Sequence, residues 1–100
     1  MQYEEVVMEI IVHSGQARSL AMEAIQEAKK GNFDRAYELL NESNEEFLKA
    51  HKVQTELIQK EVSGEKNEIS LLMVHAQDHL MTGMTVKELA EEFIEVYKNK

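Results

Sequence analysis

No cysteine, tryptophan or proline occurs in the 100 residues, and glycine appears only at 15, 31, 64 and 83. Without cysteine there is no disulfide, no thiolate metal ligand and no cysteine nucleophile. Sheet-rich folds need turn residues at short intervals, so this shortage excludes an all-β architecture. Cationic charge is also scarce: eleven Lys and Arg against nineteen Asp and Glu give a formal charge of −8. That balance repels a duplex phosphate backbone and an anionic membrane surface alike. The longest unbroken apolar stretch, Leu71 to Val74, falls far short of the roughly 20 residues of a membrane span. The start, Met1-Gln2-Tyr3-Glu4-Glu5, lacks the positive charge of a secretory signal. A soluble, cytoplasmic protein is the expectation.

What is present suits helix packing. Apolar residues make up 43 % of the chain and only six residues are aromatic, so Leu, Ile, Val, Met and Ala must build the core. The length allows one domain, 1–100, and hardly two. Apolar side chains recur at helical spacing through Val6, Val7, Ile10, Ala17, Ala21, Ala24, Ile25 and Ala28. Lys29-Lys30-Gly31 then reads as a helix end, with Asn32 as the cap of the next helix and Asp34 in its first turn. The second helix carries Phe33, Ala36, Tyr37, Leu40, Phe47, Ala50, Gln54, Leu57 and Ile58. Beyond the loop Ser63-Gly64-Glu65-Lys66-Asn67, a third comprises Leu72, Ala76, Leu80, Gly83, Val86, Ala90, Phe93 and either Val96 or Tyr97. The spacing predicts three long helices, about 3–30, 33–62 and 69–98, in an all-α, up-down three-helix bundle. Met73, Val74, Met81 and Met84 lie off the third stripe, and surplus apolar surface on so slender a bundle points to a homo-oligomer.

The densest polar cluster, His75-Ala76-Gln77-Asp78-His79, interrupts an apolar run. On a helix His75, Asp78, His79 and Thr82 share one stripe. Imidazole titrates near neutrality and is a competent nucleophile. Three readings remain open on spacing alone: a solvated polar face, a zinc site using His75 and His79, or a histidine that accepts and donates a phosphoryl group. The zinc reading lacks a third ligand and a substrate cleft.

The strings His51-Lys52-Val53-Gln54-Thr55-Glu56-Leu57-Ile58, Glu61 with Gly64, and Leu71-Leu72-Met73-Val74-His75-Ala76-Gln77-Asp78-His79-Leu80-Met81-Thr82 carry a resemblance. Together they are similar to the signature of the enzyme IIA component of the lactose/cellobiose (chitobiose) class of the bacterial phosphoenolpyruvate-dependent sugar phosphotransferase system. Gly15, Arg18, Ala24, Ala28, Gly31, Phe33 and Ala36 fit the same pattern; Val62 stands where Ala is expected. The resemblance spans essentially the whole chain. It implies a homotrimer of three-helix subunits and a catalytic His75 that takes a phosphoryl group from the histidine phosphocarrier protein. That group would pass to a Cys of the cognate IIB component during disaccharide uptake.

The resemblance also implies that Asp78 contributes to a divalent metal on the trimer axis, Mg²⁺ being the expected ion, with Gln77 and His79 supporting the site. The apolar residues Leu71, Leu72, Val74 and Met81 would offer a docking patch or simply core. His51 reads as a structural histidine, His13 has no motif support, and Arg18 pairs with Glu23 or Asp34 or approaches a neighbour's phosphoryl group. The reading from another class is a non-catalytic helical adaptor or oligomerisation module. The sequence does not identify the disaccharide, because a different component binds it.

Overall fold

The computed structural model describes residues 3–100; Met1 and Gln2, part of the acidic start noted above, lie outside the described residues. Three α-helices follow in order: α1 (Tyr3–Lys29), α2 (Phe33–Val62) and α3 (Leu71–Lys98). They form a rod 51 × 20 × 19 Å in extent. Helix α1 packs closely along both of the others, whereas the backbones of α2 and α3 approach each other less closely. No described helix is long and apolar enough to cross a membrane.

The two interhelix turns are built by glycine. Gly31 has φ 85° and Gly64 has φ 103°, a left-handed conformation that glycine adopts without a Cβ penalty. Around each, the chain closes the same pair of hydrogen bonds: Asn32 N–H to Glu27 O with Gly31 N–H to Ala28 O, and Glu65 N–H to Lys60 O with Gly64 N–H to Glu61 O. Both ends therefore carry a Schellman cap, which occupies carbonyls the helix leaves unpaired. Asn32 precedes α2 as expected, but its side chain makes no capping bond. Its amide instead donates to Glu27 Oε2 at 2.8 Å, so the side chain ties the turn back to α1.

The third helix begins at Leu71, not 69, because Ser70 is its cap: extended at φ −130°, ψ 164°, it accepts from Met73 N–H at 3.1 Å. Inside the rod, α1 contributes Val7, Ile10, Ala17, Ala21, Ala24 and Ala28, all buried. Alanine at those positions lets the axes approach closely. Gly83 extends this on α3, since a Cβ there would lie 3.0 Å from the Phe47 ring. The inward stripe of α3 is Ala76, Leu80, Gly83, Ala90 and Ile94. Phe93 was expected inward and is instead exposed, and of the alternatives Val96 and Tyr97 it is Val96 that is exposed. The stripe passes through Ile94, four residues after Ala90, which turns Phe93 outward while Tyr97 packs against the core. Ile58 is likewise exposed, Leu57 filling the core beside it.

Candidate phosphoryl-acceptor site on α3

The Ser70 cap fixes where α3 starts, and Ala76 and Leu80 in the core fix its rotation. With those faces inward, His75 is exposed and His79 half-buried. Their rings stand edge to face, centroids 4.6 Å apart and planes at 84°. Residues four apart on a helix are neighbours, and this perpendicular contact restrains both rings. Asp78 is exposed, and its carboxylate makes no hydrogen bond or ion pair among the described residues. Its backbone carbonyl accepts from Thr82 Oγ1 at 2.6 Å.

Gln77 does not join this group within one chain. It points toward α2, where its Oε1 accepts from Gln54 Nε2 and its Nε2 donates to Met73 Sδ at 3.4 Å. Gln54, Gln77 and Met73 line a cleft of about 230 Å³ beside the 63–70 segment. Sequence reasoning placed Gln54 merely as inward; its amide partner is a feature that apolar periodicity does not register. His51 is exposed and makes no hydrogen bond among the described residues, so the structural-histidine expectation finds no support. It lines an α2–α3 groove with Phe47, Leu48, Met84 and Lys87. Arg18 pairs with neither Glu23 nor Asp34. His13, which no motif marked, bonds Glu46 Oε1 through Nδ1 at 3.0 Å, and Lys49 Nζ lies 2.7 Å from Glu46 Oε2. The Lys49 ammonium, then His13, holds the Glu46 carboxyl below the usual carboxylate range against the effect of its burial.

The outward face of α3 carries Leu71, Val74, Met81, Leu89 and Val96, between 52 % and 85 % exposed. With Asp78, Thr85 and Glu92 they form one straight stripe opposite the buried one, spaced three or four residues apart. Met73 and Met84, by contrast, pack against the core. His75 lies about 80° to one side of that outward stripe and Gln77 about 80° to the other, at 100° per residue. Among the described residues no group of three His, Asp or Glu is placed to hold a metal within one chain. The pair His75 and His79 therefore has no third ligand for zinc.

Comparison with known proteins places this arrangement. The family model "PTS system, Lactose/Cellobiose specific IIA subunit" matches residues 5–98. The chain is 55 % identical over 97 residues to the lichenan-specific phosphotransferase enzyme IIA component of Bacillus subtilis, covering 97 % of this chain and 88 % of that protein. It is 47 % identical to the N,N'-diacetylchitobiose-specific EIIA component of Escherichia coli, with 97 % and 84 % covered. Among solved structures, the cellobiose-specific enzyme IIA of Bacillus anthracis superposes with a TM-score of 0.95 at 52 % identity, over 99 % of this chain and 92 % of that one. The IIA(chitobiose) chain solved in complex with HPr from Escherichia coli gives 0.86 at 45 % identity, over 99 % and 96 %. With its three helices, its exposed histidine and a match running from residue 5 to residue 98, the chain belongs to the lactose/cellobiose-specific IIA family of the sugar phosphotransferase system.

Proposed function

We propose that His75 is the phosphoryl acceptor, taking the group from the histidine phosphocarrier protein and passing it to a Cys of a IIB component in the cytoplasm. The observation that carries this reading is an exposed imidazole held edge-on by His79 in the second turn of a capped helix. In the first step an imidazole nitrogen lone pair forms a bond to phosphorus. The donor's P–N bond breaks, its electron pair returning to the donor ring. In the second step a thiolate attacks phosphorus and His75 recovers the pair. A phosphoramidate stays reactive enough to hand on, and in-line transfer needs a surface that a partner can cover and dry. His75 is exposed to the side of the outward apolar stripe, where a partner can reach it. Relatives named for lichenan, N,N'-diacetylchitobiose and lactose share 46–55 % identity with the chain, which accords with the sugar being bound by another component.

The outward stripe of α3 supports a parallel homotrimer, since apolar residues at this period make a seam that fits copies of itself. In any parallel threefold arrangement the His75 flank of one helix faces the Gln77 flank of the next, which gives Gln77 its supporting role from the adjoining chain. Asp78 lies on the seam, with one unpaired carboxylate per chain. Three of them fit a shared divalent cation such as Mg²⁺, which prefers oxygen ligands and would neutralise their repulsion.

Incubation with phosphoenolpyruvate, enzyme I and the phosphocarrier protein tests the relay. Acid-labile, alkali-stable phosphate that disappears in His75→Ala is the expected result. No label on the wild-type chain would leave a non-catalytic adaptor. Mixing His75→Ala with Gln77→Ala chains tests the shared site, because only mixed trimers place an intact His75 against an intact Gln77.

A further inference from the structure

We propose that Gln54 is a positioning residue for phosphoryl transfer, holding the Gln77 amide with its N–H edge toward the His75 of the adjoining copy. This rests on the reading above, in which Gln77 serves its neighbour's site.

A glutamine amide has nearly the same shape when turned by 180°, but its two ends have opposite polarity. A phosphoryl group carries an excess of negative charge and hydrogen-bond acceptors, so an N–H edge attracts it and a carbonyl edge repels it. In this protein the α2–α3 contact and Met73 select the edge together. Gln54 Nε2 donates to Gln77 Oε1, which engages the carbonyl end. On the other side Met73 Sδ, a weak acceptor with nothing to donate, receives one N–H of Gln77. The second N–H of Gln77 has no partner among the described residues. The amide is thus clamped from two directions with one donor left over, half-buried at the wall of an open cleft. Preorganised donors contribute most where charge develops during transfer, and a donor already turned the right way requires no rearrangement when the partner docks.

Two variants of nearly equal size separate the roles. Gln54→Glu presents only acceptors and therefore turns the Gln77 amide over, whereas Gln54→Met removes the clamp without inverting it. The measurement is the rate of transfer from the phosphorylated carrier protein to His75 at saturating and sub-saturating donor, with thermal melting as the folding control. The expected result is a fall in kcat of about tenfold for Gln54→Glu and about threefold for Gln54→Met, with KM for the donor unchanged, in line with losing one oriented donor. Added to Gln77→Ala, neither change should lower the rate further, which marks Gln54 as acting through Gln77. If Gln77→Ala is impaired while both Gln54 variants run at the wild-type rate, the positioning role is overturned and the shared site survives. If Gln77→Ala itself runs at the wild-type rate, the shared site is wrong and the proposal falls with it.

Discussion

The inner stripe of α1 and the outer stripe of α3 reverse the usual order of size. Ala17, Ala21, Ala24 and Ala28 are fully or almost fully buried, while Leu71, Val74, Met81, Leu89 and Val96 face outward. A monomer selected only for its own stability would put the larger side chains inside, where each contributes roughly 1.5–3 kcal/mol on burial. Here small residues bring three long helices close together, and large ones are kept for a surface that the single chain leaves uncovered. The difference teaches that the face that folds the chain and the face that carries the large uncovered side chains are separate, as the proposed trimer requires.

Charge placed on the outer stripe should have the largest effect. On the proposed trimer, Met81→Glu would set three carboxylates together on the seam and weaken assembly by a factor of 100 or more, about 2.7 kcal/mol. Circular dichroism should show the helices intact while sedimentation shows monomers. Asp78→Leu should do the opposite in metal-free buffer, preserving or tightening the trimer, because it removes uncompensated charge. Should Met81→Glu remain trimeric, the seam lies elsewhere.

On the inner stripe the same logic predicts a cost in folding. Ala21→Leu should lower monomer stability by about 1–3 kcal/mol, the usual range for overpacking, measurable by urea denaturation. The test sharpens if the trimer contact is first removed by Met81→Glu. A smaller loss is expected from Gly83→Ala. Helix propensity favours it by about 1 kcal/mol, but the new methyl would meet the Phe47 ring at 3.0 Å. The ring is packed in the core, so the net change should be a loss of about 1 kcal/mol.

The smallest effect concerns Glu46, on the boundary between α1 and α2. Its folded-state carboxyl titrates below its unfolded value. Its contribution is therefore present above about pH 4.5 and lost as pH falls through the lowered folded value. The melting temperature of the wild type should drop more steeply below pH 5 than that of Glu46→Gln. Parallel slopes for the two proteins would show that the carboxyl does not carry the difference.

Much of this was legible in the sequence, and for identifiable reasons. Glycines 31 and 64 marked both turns because only there must the chain enter the left-handed region. The order of the three helices followed from apolar periodicity. The exposed position of Phe93 was not legible, because a step of three or four residues after Ala90 fits the period equally well and only packing against the core decides. The partnership of Gln77 with Gln54 joins residues 23 apart on two helices, and no local pattern encodes it. The bond between His13 and Glu46 was missed for the same reason. The resemblance marked His75, Gln77, Asp78 and His79 as one string, yet the fold sends Gln77 to a different side of α3 from the two histidines.

The odd number of helices sets Tyr3 and Lys98 at opposite poles of a rod 51 Å long. Tyr3 reaches Glu68 by a hydrogen bond at the pole nearer His75, whereas Lys98 lies over Tyr37 at the other. On the proposed relay, a label attached near Lys98 would ride clear of visiting proteins, and one attached near Tyr3 would crowd their landing ground.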